Sequence, residues 1–150
     1  MKIREATTDD IIDLMPLAVD MHEESRFRVM KFSVEKMDDF LRWCIVNDDC
    51  LLIVAETNDG EIAGAFAGFC MEQWFSTDKY ACDFALFVHP GYRGSTASWK
   101  LISHYVGWAA LKEAKLIQLG ISTGVNPEEI GRFYEKLGFK RFGGLYEWGR

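Results

Sequence analysis

The sequence lacks the features that mark several common protein classes. Its 150 residues include four cysteines without a CxxC spacing, and its three histidines stand far apart. A metal site needs ligands that converge at suitable spacing, so we expect no bound metal and mostly buried, reduced thiols. No apolar run is long enough to cross a membrane, and the N-terminal residues MKIREATTDD contain no apolar h-region of the kind that a secretory leader has. We therefore expect a cytoplasmic protein without a membrane partner.

Basic residues are also scarce, with 17 lysines and arginines against 23 acidic residues and a net charge of −6. No basic stripe or arm is visible, so no nucleic-acid partner is expected. What the chain does have is apolar content: 49% of its residues are hydrophobic, enough for one domain, residues 1–150, with its own core.

Hydrophobic periodicity and turn residues predict an α/β (α+β) fold with about four helices and a mixed sheet of six to seven strands. The predicted strands are residues 2–6, 50–57, 61–74, 80–88, 116–121, 139–142 and 145–148. Helices are predicted to start near residues 7–9, Ser33, Ser95 and Asn126, with a kink or a new start at Pro16. In helix 95–112 the predicted buried stripe is Trp99, Ile102, Val106 and Ala109.

The segment HPGYRGSTASWKL, residues 89–101, is the most informative one. A strand ends at its start and a helix opens at Ser95, so several unpaired backbone N–H groups point outward beside the positive end of the helix dipole. Such a geometry binds phosphate or pyrophosphate. The Gly-Lys-[Ser/Thr] of a P-loop and the glycines of a dinucleotide fingerprint are missing. An ordinary capped helix without a ligand is the alternative interpretation.

A second segment, residues 126–139, reads NPEEIGRFYEKLGF. Together the two segments resemble the GCN5-related N-acetyltransferase (GNAT) family, whose members bind acetyl-coenzyme A by its pyrophosphate. The predicted order β-α-α-β-β-β-α-β-α-β-β is also the one that this family uses. The resemblance implies an acyl-coenzyme A N-acyltransferase-like fold in which two central strands splay apart.

The resemblance also implies which residues bind acetyl-coenzyme A. The pyrophosphate loop would be Arg93, Gly94, Ser95, Thr96, Ala97 and Ser98. Thr96 stands where the family has glycine, and Ser98 stands where it has glycine or alanine. Glycine lets the backbone approach phosphate closely, and the two hydroxyls could instead bond phosphate oxygens themselves. Backbone groups of Leu86, Phe87 and Val88 would bind the pantetheine arm and polarise the thioester carbonyl, and Asn126 would also touch that arm.

The same resemblance assigns the general acid to Tyr134, because a phenol with a pKa near ~10 is protonated at neutral pH and can donate to the leaving thiolate. Many relatives carry a Glu-Asp base where this chain has Phe84-Ala85, which cannot accept a proton. Asp83 is the first candidate for the general base and Glu72 the second. Two further carboxylates near the expected acceptor site are Glu23 and Glu24. Aromatic residues that could line the acceptor pocket are Trp74, Phe75, Tyr80 and Phe84.

The resulting hypothesis is an enzyme that transfers an acetyl group from acetyl-coenzyme A to a primary amine by direct attack on the thioester. The acceptor would be a small molecule or a peptide, and a homodimer is conceivable because the terminal strands could pair across an interface. A coenzyme A-binding pseudoenzyme without turnover is the first alternative, and an interaction domain of the same fold is the second. The altered loop and the missing Glu-Asp favour the pseudoenzyme, whereas Tyr134 opposes it.

Overall fold

An antiparallel meander of four strands, extended by one parallel strand, forms the sheet in the computed structural model, which describes residues 1–149. The strands, in spatial order, are β1 (Lys2–Glu5), β2 (Cys50–Glu56), β3 (Ile62–Glu72), β4 (Lys79–Val88) and β5 (Leu116–Ile117). The helices are α1 (Ile11–Glu24), α2 (Val34–Val46), α3 (Ala97–Leu111) and α4 (Pro127–Lys136). The predicted α+β class and four helices are confirmed, but the sheet has five strands.

The buried strand β2 divides the core between the two faces of the sheet. Leu51, Ile53 and Ala55 pack in one cluster with residues of α3, whereas Leu52 and Val54 pack in a second cluster with residues of α1 and α2. Successive side chains of a strand point to opposite faces, so an uninterrupted apolar run is what a strand covered on both sides requires. The helices α1 and α2 therefore lie on one face, and α3 lies on the other.

Helix α3 begins two residues later than predicted. Ser95 does not enter the helix; its hydroxyl accepts the N–H of Ala97 at 3.2 Å and so caps the first turn. The buried stripe also differs, because Trp99 is 51% exposed. The side chains that α3 buries are Ala97, Leu101, Ile102, Tyr105 and Ala109. Four of these residues recur at a spacing of four that begins at Ala97, so the residue at which the helix starts determines which side chains are buried.

Helix α1 continues through Pro16 without the predicted new start. A proline removes a single helical hydrogen bond, and the buried residues Leu14 and Leu17 hold the helix on both sides of it. Just before α1, the Arg4 guanidinium donates to both carboxylate oxygens of Asp10 at 2.8 Å. These bonds hold the pKa of Asp10 at about 2 and tie β1 to the start of the helix. No helix within residues 1–149 combines the length and apolar character needed to span a membrane.

Helix α4 starts and stops where the sequence predicts. Asn126 is the residue before the first turn, with a φ of 40°, although its side chain makes no capping bond. At the other end Gly138 has a φ of 97°. The Gly138 N–H bonds the Glu135 carbonyl at 3.0 Å and the Phe139 N–H bonds the Tyr134 carbonyl at 3.1 Å. This pair of bonds is the Schellman motif, which favours glycine.

The two strands predicted for residues 139–142 and 145–148 are wrong, because this segment has no regular structure. A strand needs a neighbour to bind its backbone groups, and β5 ends at Ile117 without offering one. The linking pair Gly143-Gly144 adds an entropic cost. Four large side chains of the segment are exposed: Phe142, Leu145, Tyr146 and Trp148.

Candidate active site

The strands β4 and β5 pair at only two positions and then separate. Tyr80 lies beside Leu116 and Ala81 beside Ile117, and the Gln118 N–H still bonds the Ala81 carbonyl at 2.9 Å. The strand predicted to reach residue 121 therefore ends early, and the chain that follows it leaves one side of β4 uncovered. We call the gap between β4 and residues 118–123 the split.

A β-bulge shapes β4 beside the split. In the pairing with β3, Gly68 faces Asp83 and Ala67 faces Ala85, so Phe84 has no partner. After the bulge, the His89 N–H bonds the Ala63 carbonyl, which fixes which groups point toward β3. By the alternation of an antiparallel pair, Phe87 also turns its backbone toward β3, whereas Leu86 and Val88 turn theirs toward the split.

The carboxylate of Asp83 lies in the split. Its Oδ1 accepts the Gly120 N–H at 2.6 Å, so a side chain takes over where the backbone pairing stops. Burial raises the pKa of Asp83 above its ordinary value, and the bond from Gly120 opposes that rise. Gly120 was not among the sequence-derived candidates, since a glycine at the end of a predicted strand gives no signal of this contact.

Tyr134 of α4 reaches the same place. It is the one buried residue of α4, at 8% exposure. Burial raises the pKa of its hydroxyl, and the nearby Asp83 carboxylate raises it further, so the hydroxyl stays protonated. Within residues 1–149 this hydroxyl has no hydrogen-bond partner, yet its oxygen is not sealed off by protein. It is free to donate into the split.

A cavity of about 80 Å³ fills this part of the split. It is lined by Met21, Phe27, Asp83, Phe84, Ala85, Leu86, Gly120, Ile121, Ser122, Thr123, Ile130 and Tyr134. The turn Arg26–Val29 covers one side, because the Arg26 N–H bonds the Thr123 carbonyl at 2.8 Å and its Nε bonds the Ser122 carbonyl at 2.6 Å. Asp83, Leu86 and Tyr134 thus line one cavity.

The other candidate bases lie elsewhere. Glu72 is exposed at the end of β3, where it pairs with Lys79, and it does not line the cavity. Glu24 accepts two hydrogen bonds from Arg93, at 2.7 and 2.5 Å, which lower the pKa of its carboxyl. Glu23 is exposed and is not a lining residue. Asp83 is therefore the carboxylate that the cavity contains.

The loop before α3 presents unpaired amides. Gly94 has a φ of 81°, which a glycine adopts without strain. The Ser95 N–H bonds the Tyr92 carbonyl and the Ala97 N–H bonds the Ser95 hydroxyl. In the described chain the N–H groups of Thr96, Ser98 and Trp99 have no protein acceptor. The first turn of α3 carries no acidic side chain, so nothing on it repels an anion.

Three of the sequence-derived cofactor residues have side chains that bond other residues, lie away from the cavity or are buried. Arg93, beyond its bonds to Glu24, donates from Nε to the Val88 carbonyl at 3.2 Å and lies 5.4 Å from the Phe87 ring centre. The guanidinium therefore braces the end of β4 against α1. Asn126 is exposed and does not line the cavity. The side chain of Ala97 is fully buried, which leaves only its backbone near the loop.

Solved structures share this architecture over their whole length. A mutant of the BH1408 protein from Bacillus halodurans has a TM-score of 0.84 at 16% identity, covering 100% of this chain and 99% of that chain. A putative acetyltransferase from Agrobacterium tumefaciens has a TM-score of 0.78 at 14% identity, covering 100% of both chains. Ribosomal-protein-alanine N-acetyltransferase from Brucella melitensis biovar Abortus has a TM-score of 0.73 at 14% identity, again covering 100% of both. At these identities the likeness shows the fold.

No curated protein matches the chain in sequence. The sequence profile of the acetyltransferase (GNAT) domain, however, matches residues 48–141. This match contains both segments that carry the resemblance as far as residue 139, together with β2, β3, the split and the loop before α3. It spans more than half of the chain, and the chain therefore belongs to the GNAT acetyltransferase family.

Proposed function

We propose that the protein is an acetyl-coenzyme A-dependent N-acetyltransferase that acts on a primary amine by direct attack. The observation that carries the proposal is that one cavity is lined by both the Asp83 carboxylate and the Tyr134 hydroxyl, which has no hydrogen-bond partner in the described chain. Amine acetylation needs a base for the ammonium and an acid for the leaving thiolate. The two groups supply these roles, and the family supplies the reaction class.

The N-terminus of α3 fits the pyrophosphate of the cofactor. The amides of Thr96, Ser98 and Trp99 need an acceptor, and the dipole of a 15-residue helix favours an anion there. The hydroxyls of Thr96 and Ser98 add two donors where the family has glycine or alanine. From the loop the pantetheine arm would follow β4, whose residues Leu86 and Val88 turn backbone groups into the split.

The catalytic step follows from the groups around the cavity. Asp83 takes a proton from the ammonium, directly or through water, and the free amine attacks the thioester carbon. The Leu86 N–H donates to the carbonyl oxygen as negative charge develops on it. The carbon–sulfur bond then breaks, and Tyr134 donates its proton to the departing thiolate. A new amide bond and a free thiol result.

The cysteines of the chain support direct attack over a covalent acyl-enzyme. Burial raises the pKa of Cys82, the cysteine next to Asp83, to about 11 and that of Cys44 to about 12. A nucleophilic cysteine must be a thiolate at working pH. These thiols stay protonated at neutral pH, so the amine is the better nucleophile in the site.

The rival function is a coenzyme A-binding protein without turnover. It is favoured by Phe84 at the bulge and by Ala85 after it, because neither side chain can accept a proton. Two measurements separate the functions. The melting temperature should rise with acetyl-coenzyme A, since a ligand of the folded state stabilises it. Thiol release should then depend on added primary amine. A thermal shift without thiol release in a broad amine panel would establish the rival, and no shift at millimolar coenzyme A would overturn both.

A further inference from the structure

A group of four aromatic side chains surrounds the bulge in β4. The Phe84 ring lies 5.2 Å from Phe40 in an edge-on contact, 4.9 Å from Phe69 and 6.2 Å from Trp43, measured between ring centres. We call Phe40, Trp43, Phe69 and Phe84 the aromatic surface. Phe84 is 40% exposed and Trp43 is 42% exposed, so two of the rings keep a free face.

The aromatic surface continues into the catalytic cavity through Phe84, which lines it. Met21 of α1 and Phe27 of the following turn supply further apolar lining. The other aromatic candidates from the sequence, Trp74, Phe75 and Tyr80, do not line the cavity, and Trp74 and Phe75 pack on each other. Phe84 and the proposed base Asp83 thus line the same cavity.

The lining of the cavity carries few charged side chains. Among its lining residues Asp83 is the one carboxylate, and there is no lysine or arginine. A single carboxylate matches a single ammonium. A second positive charge on the acceptor, as in a polyamine, would have to lie against the apolar wall without a partner, which costs free energy.

We propose that the acceptor is a monoamine that carries an aromatic or bulky apolar group on a short alkyl linker. The proposal rests on the proposed function and names its substrate class. The ammonium lies at Asp83, and the apolar group lies on the free faces of Phe84 and Trp43. Aromatic rings prefer edge-on and offset contacts with one another. The linker is short because Asp83 and Phe84 line the same cavity of about 80 Å³.

The test compares three amines in a thiol-release assay of the full chain: 2-phenylethylamine, ethylamine and spermidine. The kcat/KM for 2-phenylethylamine should exceed that for ethylamine by about tenfold or more, the scale of a filled apolar pocket. Phe84→Ala should remove most of that advantage, because it should raise KM for 2-phenylethylamine more than KM for ethylamine. Phe84→Leu, which keeps apolar volume, should lose less. Trp74→Ala is the matched control, because Trp74 is 90% exposed outside the cavity.

The outcomes separate this proposal from the function on which it rests. Spermidine or ethylamine used as well as 2-phenylethylamine would overturn the substrate class and leave the acetyltransferase intact. An equal effect of Phe84→Ala on all three amines would do the same. If no amine releases thiol, the function and the substrate class both fail.

Discussion

The Asp83 carboxylate bridges two chain segments where their backbone pairing stops, because its Oδ1 accepts the Gly120 N–H at 2.6 Å. The same carboxylate contributes to the raised pKa of Tyr134. One side chain therefore links the two segments at the split and also raises the pKa of Tyr134, the proposed general acid. Its removal should change catalysis more than folding, and the following expectations separate these effects.

Asp83→Asn should lower kcat/KM by about 10²-fold at neutral pH, the usual loss for a general base. Burial raises the pKa of Asp83, so the wild-type rate should rise with pH through a value above that of an ordinary carboxyl. The variant should lose this step and follow the ionisation of the amine alone. Folding raises the pKa of Asp83, so its carboxylate does not stabilise the fold at pH 7, and Asn should not lower the melting temperature there. Superimposable pH profiles of the two proteins would exclude Asp83 as the base.

Tyr134→Phe keeps the ring and removes the donor, so turnover should fall by about 10²-fold while the affinity for acetyl-coenzyme A changes little. Tyr146→Phe is the matched control, because Tyr146 is 99% exposed. Since the pKa of Tyr134 is raised, wild-type activity should not decline with pH below about pH 10. Equal turnover of wild type and Tyr134→Phe in the thiol-release assay would remove Tyr134 from the mechanism.

Ser98→Glu should weaken coenzyme A binding by about tenfold or more, because its carboxylate competes with and repels the pyrophosphate at the start of α3. An acid in the first turn suits the helix dipole, so stability should stay level or rise by about 0.3–1 kcal/mol. Ser98→Gln has nearly the same shape without the charge and should bind much more tightly than Ser98→Glu. Calorimetric titration measures both, and equal affinities would place the pyrophosphate elsewhere.

Asp10→Asn should destabilise the fold by about 2 kcal/mol at pH 7, because the pKa of Asp10 lies at about 2 instead of 3.8. A lowered pKa stabilises the protein fully above pH 3.8, and this contribution is lost as the pH falls toward 2. The difference between wild type and variant in urea unfolding should therefore shrink between pH 7 and pH 3. A constant difference over this range would show that the ion pair with Arg4 does not act through the Asp10 charge.

Local signals in the sequence were sufficient for much of the fold. The apolar run at Cys50–Glu56, the Ser33 cap, whose hydroxyl accepts the Lys36 N–H, and the left-handed Gly138 are all as predicted. Each depends on conformational preferences of a few neighbouring residues. The two terminal strands failed because a strand exists only with a partner, and alternation in residues 139–148 says nothing about whether a sheet edge is available.

In the candidate site, too, some features follow from local sequence and others depend on the tertiary structure. The amides before α3 follow from the helix start, and Tyr134 and Asp83 were named from the motif and from the position next to Phe84-Ala85. Their meeting in one cavity depends on the bulge at Phe84 and on the early end of β5, neither of which leaves a local signal. The hydrogen bonds from Arg93 to Glu24 were missed for a similar reason, because they join residues that are far apart in the chain.

The short β5 has a consequence for how firmly different parts of the sheet are closed. Backbone amides in β3 are bonded along two full neighbours. Residues 118–123 are held by one hydrogen bond each to Ala81, Asp83 and Tyr105 and by two to Arg26. Local opening of that segment should take far less free energy than opening β3, and its amides should exchange with deuterium much faster. A molecule bound along β4 would supply the missing bonds, so the least protected wall of the sheet is the one that its ligand would complete.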